Sequence, residues 1–274
     1  MTMKISPKVF LSRYKVIHKF AVINGIRTHW VEFGRGKPLV GLHGIGGAWT
    51  DYWSLLPVLK NRKCYFFDMP GCGKTDKIDN YKIENLSAWL KACIGHLSLM
   101  KFTVEAICSS APIAIDYASK YPEKVDSLIL HMPVINGAWV DPMSKFQAFL
   151  GRALPNFLIK FLFNQSWFSK LIVNTDEKET IVESALLDQE NKRKADFKGM
   201  SELISEVIRS DSTKKLKNFR GKLVVIALQG DKLSPVEKLI EVCPKESVKV
   251  FDNAHSWNEE VIIKQNKEIK NFLS

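Results

Sequence analysis

Residues Phe102 to Tyr121 constrain the fold more than any other stretch of the chain. Phe102-Thr-Val-Glu-Ala-Ile107 is a short apolar run of strand type, Cys108-Ser-Ser110 is a tight turn of small residues, and Ser109 to Tyr121 reads as a helix. A strand that turns sharply into a helix, with a reactive side chain at the turn and small residues two positions to either side, is the plan of a nucleophile elbow. The flanking residues here are Ala106 and Ser110, around Cys108. Moving the frame so that Ser109 is the reactive residue puts Ile107 at a flanking position, where a β-branched side chain is too bulky. Read alone, the segment fits equally well a buried cysteine in a strand–helix connection, since an isolated cysteine usually packs in a core.

The order of elements around this turn indicates an α/β fold. His18–Ile23 and Ile26–Phe33 flank Asn24-Gly25, a strong hairpin signal. Pro38–Leu42, Cys64–Asp68, Phe102–Ile107 and Ser127–Leu130 are apolar strands, and the helical segments Thr50–Lys60, Ile83–Met100 and Ser109–Tyr121 lie between them. Such alternation gives a mostly parallel sheet covered on both faces. After Pro133 the strand rhythm stops, and helices are expected over Phe146–Phe163, Trp167–Val173, Glu177–Asn191 and Phe197–Ser210. Strands return at Lys222–Leu228 and Val248–Phe251, and a last helix starts at Trp257. The expected organisation is a core over 1–135 with a basic arm over 1–17, a helical cap over 136–218, and the rest of the core over 219–274.

Composition bounds the function classes. With 274 residues, 46% of them hydrophobic, the chain can bury one large core. Its five cysteines form no C-x-x-C pair, which argues against a disulfide framework or a zinc site, and a cytoplasmic location is expected. No signal-like N-terminal run and no stretch of membrane-spanning length are present in the sequence. The formal charge is +11, and residues 1–19 carry Lys4, Lys8, Arg13, Lys15 and Lys19 with no acid. General solubility is the plainer reading of that excess, against attraction to an acidic partner, an anionic lipid surface or nucleic acid, and no nucleic-acid-binding motif accompanies it. An acidic carrier protein is the macromolecular partner that a basic surface would suit.

Three further stretches carry chemistry. Leu42-His-Gly-Ile-Gly-Gly47 follows a buried strand, and its glycines bring backbone amides close to a ligand, so the Ile45 amide is a candidate oxyanion donor beside that of Ser109. Gln229-Gly-Asp-Lys-Leu-Ser-Pro235 follows an apolar strand and puts Asp231 at its carboxyl end, where parallel sheets gather functional groups. Phe251-Asp-Asn-Ala-His-Ser-Trp257 puts His255 between the last strand and the last helix. The order Cys108, Asp231, His255 is nucleophile, acid, base.

These blocks, together with Asp68-Met-Pro-Gly-Cys-Gly-Lys-Thr-Asp76 and Asp116-Tyr-Ala-Ser-Lys-Tyr-Pro-Glu-Lys-Val-Asp126, make the chain similar to the capped, esterase-like proteins of the α/β-hydrolase fold, from about residue 20 to the end apart from the cap. The resemblance implies a mostly parallel eight-stranded sheet with helices on both faces and an inserted helical cap. It implies catalysis by Cys108, Asp231 and His255, an oxyanion hole at Ile45 and Ser109, and substrate contacts from His43, Gly44 and Trp257. No cofactor and no metal are implied, and the protein would act on a small-molecule acyl substrate as a monomer or homodimer. Two departures stand out. The family usually shows Gly-x-Ser-x-Gly, whereas this chain has Ala106-x-Cys108-x-Ser110. Glu105 is a charge on a central strand where the family normally has an apolar residue, and it is expected to pair with a lysine or to hydrogen-bond near the site. Relatives with a native cysteine nucleophile, such as dienelactone hydrolases, are competent enzymes, so hydrolysis of esters, thioesters or lactones is the expected activity. Transfer or lyase chemistry on the same site, or ligand binding on a weakly catalytic scaffold, are the alternatives.

Overall fold

The computed structural model describes residues 11–153, 187, 190, 191, 194–252 and 259–274. Eight strands form one sheet: β1 (Ile17–Ile23), β2 (Ile26–Phe33), β3 (Lys37–Leu42), β4 (Arg62–Phe67), β5 (Phe102–Ile107), β6 (Val125–His131), β7 (Lys222–Leu228) and β8 (Val248–Phe251). Their order is β1-β2-β4-β3-β5-β6-β7-β8. Only β2 runs against its neighbours; β4, β3, β5, β6, β7 and β8 are mutually parallel. The β1–β2 hairpin turns through Asn24 (φ 49°) and Gly25 (φ 80°), the left-handed pair that a two-residue hairpin needs.

The central strands are almost wholly buried because helices cover both faces. Helices α1 (Ile83–His96) and α2 (Ala111–Lys120) pack on one side, against Val40, Leu42, Phe67, Leu128 and Leu130. The other side gathers Leu39, Phe66, Ile129, Ile226 and, from the C-terminal helix, Ile269. The switch from Leu128 to Ile129 to Leu130 between faces is the period-two alternation of a strand. The segment expected to be helical over Thr50–Lys60 is a 3-10 stretch, Trp49–Leu55.

Helix α3 (Pro142–Ala153) enters the expected cap, and α4 (Phe197–Arg209) leaves it. The expected helices at Trp167–Val173 and most of Glu177–Asn191 lie outside the described residues. The two ends of the insertion run side by side: Asn136 bridges Asp211, Gly137 N–H donates to Ser210 O at 2.9 Å, and Ser212 N–H donates to Ile135 O at 2.9 Å. The short helix α5 (Thr213–Lys217) already packs on the core, through Leu216 and a Lys215–Asp116 ion pair of 2.6 Å. Helix α6 (Val236–Val242), which the periodicity did not indicate, caps the β7 side, and α7 (Glu259–Leu273) closes the chain. Among the described residues no helix is long and apolar enough to cross a membrane.

Candidate active site

Cys108 stands at the carboxyl end of β5 with φ at +54°. A left-handed backbone costs a non-glycine residue about 1–2 kcal/mol, so the surrounding contacts must hold it. Ser110 does much of this. Its Oγ accepts from Ile107 N–H at 2.9 Å and lies 2.8 Å from Leu42 O, to which it donates. The hydroxyl thus ties the turn to the end of β3, the strand that feeds the glycine loop. The site has an alanine and a serine where the family pattern has glycines, and both are fully buried. From the other side, Val134 N–H donates to the Cys108 carbonyl at 3.2 Å.

Burial separates Cys108 from the other thiols. Cys64, Cys72, Cys93 and Cys243 are buried, whereas Cys108 is half-buried. Burial pushes Cys72 and Cys243 up to about 12 and drives Cys64 and Cys93 further in the same direction, so all four stay protonated. Ser109, the alternative reactive residue, is 4% exposed, and its Oγ has no hydrogen-bond partner among the described residues.

The glycine loop faces this cysteine. A Cβ placed on Gly44 would lie 3.6 Å from Cys108 Cβ and from Ile107, so the loop packs directly against the elbow turn. Gly46 (φ 65°) takes the left-handed turn, and Gly47 N–H closes it on Gly44 O at 3.1 Å. Ile45 lies between them, half-buried, and packs toward Cys72, Ala195 and Met200 at the exit of the cap.

His43 anchors the loop from beneath. Its Nε2 accepts from Met69 N–H at 2.8 Å, so Nδ1 carries the hydrogen and donates to Gly44 O at 2.7 Å. Burial lowers its pKa, and the ring stays neutral. The ring has no exposed surface and both nitrogens are engaged within the loop.

Asp68 supports the same region. Oδ1 accepts from Trp49 N–H at 2.8 Å, and Oδ2 accepts from Lys74 N–H at 2.9 Å and approaches His29 Nδ1 at 2.7 Å. Burial acts to raise its pKa, but His29, His43 and the Trp49 amide outweigh it and hold the carboxyl below the usual range.

Asp231 follows β7 and the left-handed Gly230. It is 4% exposed, and its Oδ1 accepts from Leu233 N–H at 2.8 Å. The structure thus brings Cys108, Gly44, Ile45, Ser109 and Asp231 to the carboxyl ends of β3, β5 and β7. His255 and Trp257 lie outside the described residues. Among the described residues no group of three or more His, Cys, Asp or Glu side chains is placed to hold a metal ion.

Of the two partners expected for Glu105, a lysine or a hydrogen bond near the site, the structure has the second. Glu105, fully buried on β5, does not meet a lysine; its Oε1 lies 3.0 Å from His131 Nδ1 at the end of β6. A charged residue in an apolar strand, with a histidine ending the next strand, was the available signal.

A mostly parallel eight-stranded sheet, with a strand–turn–helix at Cys108 and the loops after β3, β5 and β7 gathered at one edge, is the architecture of the α/β-hydrolase fold. The chain belongs to the α/β hydrolase fold family, which it matches over residues 37–260. It is 31% identical over 114 residues to a cis-3-alkyl-4-alkyloxetan-2-one decarboxylase of Shewanella oneidensis, covering 39% of this chain and 36% of that one. It is 26% identical over 118 residues to a soluble epoxide hydrolase of Corynebacterium, covering 42% and 41%. The matched stretch is thus well under half the length of either relative. Among solved structures, a bromoperoxidase of Bacillus anthracis superposes with a TM-score of 0.79 at 20% identity, covering 94% of this chain and 99% of that one.

Proposed function

We propose that the protein is a hydrolase of esters, thioesters or strained lactones that works through a covalent acyl-thioenzyme on Cys108. The observation that carries this reading is the left-handed Cys108 at the end of β5, half-buried beneath Gly44 while every other thiol is buried. A buried structural cysteine needs no such strained backbone, and strain of this kind marks functional positions.

In this mechanism His255 takes the Cys108 proton, and Asp231 fixes the imidazole tautomer and offsets its charge. The thiolate attacks the acyl carbonyl, and the carbonyl π electrons move onto oxygen. The amides of Ile45 and Ser109 receive that oxyanion, each contributing about 10²–10³ in rate. Collapse expels the leaving group, which takes the proton from His255. Water then attacks the thioester with His255 as base, and the thiolate departs. A thiolate leaves more readily than an alkoxide, so attack on an unactivated ester reverts before the alcohol is lost. Substrates whose leaving group is itself good, or whose ring strain makes opening irreversible, are therefore favoured. An oxetan-2-one is such a strained lactone, and a relative is named for acting on one. That name also favours a second outcome from the same substrate class, in which the C3–carbonyl and C4–oxygen bonds of the lactone both break, so that the ring oxygen leaves in carbon dioxide and C3 and C4 form an alkene.

The test is turnover of a dialkyl oxetan-2-one and of an acyl thioester, with products identified by mass. Hydroxy acid from the lactone supports hydrolysis, and alkene with carbon dioxide supports the lyase outcome. Turnover unaffected by Cys108→Ala or Asp231→Asn overturns the mechanism.

A further inference from the structure

Two non-glycine residues with left-handed backbones sit side by side at the active-site edge of the sheet: Cys108 (φ 54°) after β5 and Met132 (φ 44°) after β6. The others among the described residues, Asn24 and Ser98, are at a hairpin turn and just past the end of α1. Neighbouring strands lie about 5 Å apart, so the two strained turns are in direct reach of each other.

The three residues after β6 connect the nucleophile to the acid loop. Met132 N–H donates to Ile226 O of β7 at 2.8 Å, and Val134 N–H donates to the Cys108 carbonyl at 3.2 Å. Between them, the Pro133 carbonyl accepts a hydrogen bond from Ser234 Oγ, on the loop that carries Asp231. Any shift of residues 132–134 therefore moves Cys108 and Asp231 relative to each other.

The residue immediately before this bridge is His131, held by Glu105. Glu105 is opposite Ile129 in the β5–β6 register and His131 opposite Ile107, so the pair spans the two strands diagonally on one face. Oε1 and Nδ1 are hydrogen-bonded at 3.0 Å, while Oε2 is buried with no hydrogen-bond partner among the described residues. The surroundings are Tyr52, whose hydroxyl reaches Glu105 O at 3.4 Å, Cys64 of β4, and the apolar Ile129, Ile226 and Ile269. Burial keeps Tyr52 and Cys64 protonated, with Glu105 adding to the effect. A half-satisfied carboxyl in such a place is a poor stabiliser, because a well-packed apolar pair is as good or better. Its position, one residue before a strained functional bridge, gives it a different use.

We propose that Glu105 and His131 are positioning residues of the active site: their hydrogen bond locks the end of β6 to β5 and so holds Met132–Val134 in the strained path that sets the Cys108 nucleophile against the Asp231 loop. The inference rests on the reading of Cys108 as the nucleophile.

The test is the rate of Cys108 carboxamidomethylation by iodoacetamide at pH 7, located by peptide mass, alongside thermal unfolding. Cys108 is the one cysteine of the five that is not buried, so the readout is selective and needs no substrate. In Glu105→Met/His131→Leu, both partners become apolar. The proposal expects alkylation to slow about tenfold, as misplacement of a reacting group does, with no fall in Tm. Glu105→Gln keeps an acceptor for the ring N–H and is expected to stay within about threefold of wild type. An unchanged rate in the double variant overturns the proposal. So does slowing accompanied by a matching loss of Tm, which is what a merely structural pair would give. Slowing in Glu105→Gln as large as in the double variant overturns it as well, because charge and not position would then be at work. A wild-type Cys108 that alkylates no faster than an ordinary exposed thiol defeats the nucleophile reading, while the comparison between variants still decides this one.

Discussion

Single atoms hold the strained turn at Cys108, and the Ser110 hydroxyl has the most to do. It satisfies the part-buried Ile107 N–H and the buried Leu42 O, two backbone groups on different strands. Ser110→Ala leaves both unpaired, at about 1–3 kcal/mol for each buried group. A lowered urea midpoint and a loss of any Cys108 adduct are expected together, since the same bonds serve stability and geometry. His43 works in the same way for the glycine loop. Replacing it by leucine orphans Met69 N–H and leaves Gly44 O with the Gly47 amide as its one remaining donor among the described residues. Turnover is expected to fall by about 10²-fold or more, because the loop amides opposite Cys108 lose their fixed position. Steady-state kinetics on any substrate the wild type accepts checks this, and a His43→Leu variant with wild-type kcat contradicts it. The residue-level site was legible in part. Cys108, Asp231 and the glycine loop stood out because tight turns leave small residues and glycine at fixed offsets. Ser110 as a hydrogen-bonding hub did not, because a serine next to a reactive residue looks only small. The partner of Glu105 was invisible because β5 and β6 meet only in space, across a diagonal of the sheet.

At the level of elements, the insertion between β6 and β7 depends on a close crossing. A Cβ on Gly137 would sit 1.8 Å from Ile208 O and 2.2 Å from Ile208 C, both backbone atoms, so nothing there yields cheaply. Gly137→Ala must push the start of the insertion away from α4 and break the pairing of Asn136 with Asp211. Limited proteolysis is expected to cut the insertion faster in this variant while the core fragment survives; an unchanged digestion pattern contradicts the crossing. The strands were read from the sequence to within a few residues because the buried central ones are continuous apolar runs with nothing to confuse them with. Thr50–Lys60 was less legible. Its spacing suits a helix, but Asp51, Tyr52 and Trp53 are pulled into a tighter 3-10 turn beside the glycine loop, with Tyr52 stacked on Phe66 at 4.4 Å. Helix α6 was missed because seven residues are too few for periodicity to speak.

The molecule as a whole carries buried groups with lowered pKa, and their sign fixes the response to acid. His43 has a folded pKa below its ordinary 6.5, so its contribution is full above that value and is lost as pH falls through it. Asp68, also lowered, contributes above about 3.8 and loses that contribution as pH falls further. Stability is therefore expected to be level near neutrality, to decline below about pH 6.5 and to drop again below about pH 4. Urea midpoints measured across that range check it, and a midpoint constant from pH 8 to pH 5 contradicts it. The central claim is covalent catalysis by the elbow thiol, and intact mass tests it most directly. Wild type, Cys108→Ala and His255→Ala are mixed briefly with a short-chain p-nitrophenyl ester and quenched. The account predicts one acyl group on wild-type Cys108, none on Cys108→Ala, and slower loss of any adduct formed by His255→Ala. A wild-type protein that is folded, releases no nitrophenol and carries no acyl mass contradicts it, as does an adduct that persists in Cys108→Ala.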